Sequence, residues 1–171
     1  HFKGTVKSKV GPAVMSFGGD IELLQLDVAA RTLQMLGKGA DKAGSSAAMN
    51  LTATVLPGET PGSSVLAGQA TITVSGKLDT TTAPEFDTRL REVAGSAVIH
   101  CILALDKVDY ISSAGLRSVL MAAKQFGAKK GKLVLSGLSG AVKDVFALSG
   151  FDRVVKICAN EAEAQALIRQ G

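Results

Sequence analysis

The sequence predicts an α/β fold: a mixed β-sheet of about four to five strands covered by about four helices, preceded by an N-terminal extension containing one amphipathic helix. Three observations predict it. Runs 51–56 and 69–75 alternate apolar and polar residues, as half-buried strands of a hairpin do. Run 97–105 is apolar almost throughout, as a strand covered on both faces requires. From there on, short apolar runs take turns with stretches of helical period, most of them bounded by Ser, Thr or Asn in front and Gly behind.

The first 48 residues stand apart. The chain opens at His1 and not at Met, as a tag, a processed terminus or an excerpt of a longer protein would. Residues 2–10 are polar and basic with a faint alternation, followed by Gly11-Pro12 and the turn-like Gly18-Gly19. Asp20 can cap a helix whose stripe is Ile21, Leu24, Val28 and Met35, with Leu23, Leu33 and Leu36 beside it, closed by Gly37-Lys38-Gly39. Gly44-Ser45-Ser46-Ala47-Ala48 reads as a linker. Residues 1–48 are therefore expected to be an extension, vector-derived or a docking helix, and residues 49–171 the folded domain.

The domain begins with the hairpin, its strands joined by a turn-rich loop containing Pro57, Gly58, Pro61 and Gly62. Gly76-Lys77-Leu78-Asp79 breaks the second strand, and Thr80-Thr81-Thr82 leads into a helix from about Ala83 to Val93 with Pro84 in its first turn. Asp79 reads as turn and cap chemistry, since no second carboxylate or His stands beside it in sequence. His100, inside the apolar run, reads as a satisfied core or strand-face residue and not as a ligand or base. A helix follows through Leu116, Val119, Leu120, Ala123 and Phe126 to about Gly127. Lys132–Ser136 is the next strand, a helix runs between Ser139 and Gly150, Val154–Cys158 is the last strand, and Asn160 caps a final helix from Glu161 to about Arg169.

Composition excludes several classes. With 46% hydrophobic residues, no Trp and one Tyr, the core must be aliphatic. A charge of +4, scattered and without interleaved aromatics, argues against nucleic acid. Lys129-Lys130-Gly131-Lys132 fits a solvated helix end. Cys101 and Cys158 lie in apolar runs without zinc spacing and read as buried hydrophobes of a reducing compartment. No apolar run approaches the ~20 residues of a membrane span, and no secretory leader pattern is present, so the expectation is a cytoplasmic protein without metal or cofactor.

The chemistry concentrates in Val108-Asp109-Tyr110-Ile111-Ser112-Ser113-Ala114-Gly115-Leu116. A buried strand delivers two hydroxyls to the start of a helix, where unpaired N–H groups and the positive dipole end tolerate an anion or a hydroxyl receiving a phosphoryl group. Helix capping alone is the other reading.

Three segments together resemble the STAS family, the sulfate transporter and anti-sigma factor antagonist domain. They are Ser75-Gly76-Lys77-Leu78-Asp79 with Thr82-Ala83-Pro84-Glu85, the stretch Val108–Leu116, and Leu148-Ser149-Gly150-Phe151-Asp152. The similarity covers roughly Met49 to Gln170. It implies a bacterial, non-enzymatic switch protein that binds an anti-sigma factor doubling as a serine kinase, loses that binding on serine phosphorylation, and is reset by a serine phosphatase. Matching the family's Asp-Ser-Ser-Gly-Leu pattern to Ser112-Ser113-Ala114-Gly115-Leu116 implies Ser113 as acceptor, with Ser112 the second choice. The partner-binding residues implied are Asp79, Tyr110, Ser112, Ser113, Ala114, Gly115 and Leu116, in a monomer or weak homodimer. The chain departs from the pattern at Ser112 and Ala114, and also at Ala104, where many members carry Asp, and Asp106, where they often have Ser.

Two other readings remain open: a STAS module sensing a nucleotide or other ligand at the helix mouth, and a scaffold module of a larger signalling or transporter assembly. No Ser-His-Asp spacing or paired carboxylates appear, and Ser113 has no evident general base, so an enzyme is not expected.

Overall fold

The computed structural model describes residues 2–10, 13–40, 46–57, 64–96 and 98–169. A single sheet of eight strands runs in sequence order. Strands β1 (Phe2–Val10), β2 (Ala13–Asp27), β3 (Thr32–Ala40), β4 (Ser46–Pro57) and β5 (Ser64–Leu78) form an antiparallel meander. Strands β6 (Val98–Ile111), β7 (Lys132–Ser136) and β8 (Lys156–Cys158) then continue it in parallel with β5. The crossovers are α1 (Ala83–Gly95), α2 (Ser113–Ala128) and α3 (Gly140–Leu148), and α4 (Glu161–Arg169) closes the chain. The mixed sheet with four helices agrees with expectation, and the sheet is wider than the four to five strands anticipated.

Alternation along the parallel strands divides the core in two. Cys101, Leu103 and Leu105 of β6 and Leu133 and Leu135 of β7 face α1, α2 and α3, meeting Leu90, Val119, Phe126 and Phe146. Ile102 and Val134 point the other way and meet Ala164 and Ile168 of α4. Phe126 and Phe146 are fully buried, each contributing about 2–3 kcal/mol of apolar transfer. The ring of Phe151, in a 3-10 turn after α3, stands edge-on to Phe146 with centroids 5.8 Å apart.

The helix expected from Asp20 to Leu36 is not formed; these residues make β2, a turn and β3. Asp27 accepts the Ala30 N–H at 2.8 Å, and Arg31 takes a left-handed φ of 53°, reversing the chain. Gly37-Lys38-Gly39 continues β3, and Ser46–Ala48, read as linker, already belongs to β4. Gly18-Gly19 lies within β2. The Gly11-Pro12 turn and the loop residues 58–63 lie outside the described residues.

Register explains why this extension is apolar. Leu23, Met35, Leu51 and Ala70 are paired in turn across β2, β3, β4 and β5 and so share one face. Ala70 is fully buried, Leu51 is 2% exposed and Leu23 53% exposed, so the core face runs outward past the helices that cover it. His100 is a strand-face residue whose Nδ1 has no partner among the described residues; burial, then the nearby Lys132 charge, lowers its pKa. His100 lies on the strand face as expected, with Nδ1 alone departing from the expected satisfaction among the described residues.

Candidate functional site

The site lies where β5 and β6 end side by side, with Leu78 and Ile111 paired in register. Parallel strands with helical crossovers bring their outgoing loops to one end of the sheet. Here the loops are Asp79–Thr82, leading to α1, and Ser112, leading to α2.

The first loop is tied by its own side chains. Asp79 Oδ1 accepts the Thr81 hydroxyl at 2.6 Å and the N–H groups of Thr81 and Thr82 at 2.8 and 3.1 Å. The Thr82 hydroxyl donates to the Lys77 carbonyl at 2.7 Å and receives the Asp79 N–H at 3.1 Å. Hydrogen bonds from Thr81, then Thr82, hold the Asp79 carboxyl below its ordinary value. Asp79 therefore shapes the turn before α1.

The second loop separates the two serines. Ser112, extended at φ −87° and ψ 168°, accepts the Gly115 N–H on its side chain and caps α2. Its carbonyl accepts the Leu116 N–H at 3.0 Å, and its own N–H donates to the Leu78 carbonyl at 2.8 Å. Ser112 is half-buried and occupied. Ser113, the first residue of α2, is exposed. No acidic side chain stands in the first turn of α2, so no carboxylate of that turn offsets the positive end of its dipole.

Packing fixes this helix mouth. A Cβ on Gly115 would lie 2.9 Å from Ile111 Cγ1 and 3.2 Å from both the Cβ and the carbonyl of Leu78. Leu116 is buried in the core. Gly115 and Leu116 thus serve placement, while Asp109 and Tyr110, near the end of the strand that leads to Ser113, are exposed, the latter 50%. Ala114 is half-buried. The loop after β7 packs on β6 before the site, where a Cβ on Gly137, at φ +73°, would meet Asp106 Cβ at 2.8 Å. Two further residues carry no motif of their own: Arg117, one turn beyond Ser113 and exposed, and Thr82, which ties the first loop and whose one sequence signal is the run Thr80-Thr81-Thr82.

Among the described residues no group of three or more His, Cys, Asp and Glu side chains could hold a metal ion. Cys101 and Cys158 are both free and buried. Burial pushes the Cys101 thiol up to about 12, and burial followed by the Glu163 charge raises Cys158. No helix among the described residues is long and apolar enough to cross a membrane.

Residues 63–164, from β5 into α4, match the family model of the STAS domain. The chain belongs to the STAS family. Among STAS relatives, BtrV of Bordetella bronchiseptica, which carries the name of an anti-sigma factor antagonist, is 38% identical over 93 residues, covering 54% of this chain and 79% of BtrV. An anti-sigma factor antagonist from Mycobacterium paratuberculosis superposes with a TM-score of 0.56 at 19% identity, covering 70% of this chain and 94% of that one. The anti-sigma factor antagonist SpoIIAA in its unphosphorylated form gives a TM-score of 0.53 at 22% identity, covering 70% of this chain and 97% of SpoIIAA. These two likenesses are of the STAS fold.

Proposed function

We propose that this chain is an anti-sigma factor antagonist that works by partner switching. Unmodified, it binds an anti-sigma factor that is also a serine kinase; phosphorylated on Ser113, it releases it, and a serine phosphatase restores binding. The chain acts in the cytoplasm, without catalysis of its own, and residues 49–171 carry the regulatory surface. The relative named as an anti-sigma factor antagonist supports the role. The single observation that carries the assignment to Ser113 is the division of labour at the helix mouth: Ser112 is engaged with Gly115 while Ser113 is exposed.

The transfer needs no base from this chain. The Ser113 hydroxyl oxygen bonds to the γ-phosphorus of ATP held by the kinase as the bond to the β-phosphate oxygen breaks. The hydroxyl proton leaves to the kinase, and ADP is the other product. The added group brings about −1.5 to −2 charges. On the first residue of α2 that charge suits the dipole, so the fold survives. Release comes from the partner surface around Asp79, Tyr110, Ser112 and Ala114, which cannot desolvate the phosphate.

The test is incubation with ATP and the anti-sigma kinases of the same genome, followed by mass spectrometry of the peptide spanning Ser112 and Ser113. Modification of Ser113, lost in Ser113→Ala, is expected. Ser113→Asp should bind the kinase about tenfold to a hundredfold more weakly than the unmodified chain. Modification confined to Ser112, or undiminished binding by Ser113→Asp, would overturn the reading.

A further inference from the structure

Both arginines of α1 are held by a carboxylate one helical turn ahead. Arg89 meets Glu85 at 3.7 Å and Arg91 meets Asp87 at 2.8 Å, each acid four residues before its arginine. In α2 the position four residues before Arg117 is Ser113, and both are exposed. Arg117 makes no ion pair among the described residues, and the first turn of α2 offers it no acid.

Residues four apart on a helix bring their Cβ atoms to about 5–6 Å, and an anion N-terminal to a cation is the favourable order. A phosphate on Ser113 would therefore recreate the arrangement that Glu85–Arg89 and Asp87–Arg91 already make. We propose that Arg117 is the intramolecular counter-ion of a phosphate carried on Ser113. This rests on Ser113 being the acceptor.

The guanidinium can meet phosphate oxygens through two parallel N–H donors, which a single ammonium cannot match. The modification then changes the exposed face of α2 twice over. It sets an anion on the first turn and takes up the charge of Arg117, which makes no ion pair among the described residues. A partner that reads this face meets both changes at once.

The test installs phosphoserine at position 113 of the full chain by genetic code expansion, so that no kinase chooses the site. The second ionisation of the phosphate is followed by 31P NMR titration. Arg117 favours the dianion, so Arg117→Ala and Arg117→Gln should each raise that pKa by about 0.3 unit, and Arg117→Lys should recover part of the shift. Arg89→Ala, on α1, should leave it unchanged. Equal values for the parent, Arg117→Ala and Arg117→Gln proteins would overturn the proposal. Kinase modification of Ser112 alone would instead defeat the acceptor assignment, a separate outcome from the pairing measured here.

Discussion

The Ser112 N–H donates to the carbonyl of Leu78 at 2.8 Å, so the loop entering α2 is bonded to the end of β5, from which the loop entering α1 departs. Gly115 sits over this junction, with no space for a side chain between Leu78 and Ile111. Two stretches of sequence more than thirty positions apart are thereby one rigid corner.

Replacing Gly115 tests that corner. Alanine gains helix propensity but must push Leu78 backbone and Ile111 aside, and overpacking of this kind costs about 1–3 kcal/mol. Gly115→Ala should show a net loss of about 1 kcal/mol in urea denaturation, and Gly115→Val a larger one.

The two serines should respond differently. Ser112→Ala removes the cap that accepts the Gly115 N–H and should cost about 1 kcal/mol of stability. Ser113→Ala, at an exposed site, should stay within about 0.5 kcal/mol of the parent. Denaturant midpoints of both variants measured together check the contrast.

Asp79 gives a pH signature. Its folded pKa lies below the ordinary 3.8, so its contribution is fully present above that value and is lost as pH falls through the depressed one. Asp79→Asn should flatten the acid limb of a stability-versus-pH curve below about pH 4 and leave its slope between pH 6 and 8 unchanged.

A fourth test lies at the other end of the sheet. A Cβ on Gly131 would fall 1.9 Å from the Ile99 carbonyl, a collision with backbone that no rotamer relieves. Gly131→Ala should destabilise by about 3 kcal/mol or more, seen as a lowered thermal midpoint, with α2 and β7 pushed out of place.

Much of the parallel half was legible because its signals were local. The Ser-Ser pair before Leu116 marked the start of α2, and Ser112 caps it. Asn160 marked the start of α4, where its side chain accepts the Glu163 N–H at 2.9 Å while Glu163 reaches back to the Ala159 N–H at 2.8 Å. The end of β6 was less legible. Beyond Leu105 its side chains Asp106, Lys107, Asp109 and Tyr110 are exposed, and only pairing with β5 carries the strand on to Ile111.

The N-terminal strands mimic a helix for a specific reason. The register of β2 against β3 shifts between Leu23 and Gln25, and the irregularity places Leu23 and Leu24 in succession where strict alternation would not. That break hid a period of two, and apolar residues from two strands summed into a false helical stripe. The pairing of Leu23 with Met35, twelve residues away in sequence, is non-local, and no window on one strand contains it.

The hydrogen-bonded ladder also bears on how the molecule can be divided. The family match starts at residue 63, yet β4 is joined to β5 at twelve register positions and to β3 at nine. Cutting the chain at Met49 would strip that outer neighbour away and leave a long, bare rim of amides and carbonyls, the kind of border on which other chains nucleate. The stretch that looks dispensable by motif is the hem that keeps the sheet from fraying into its neighbours.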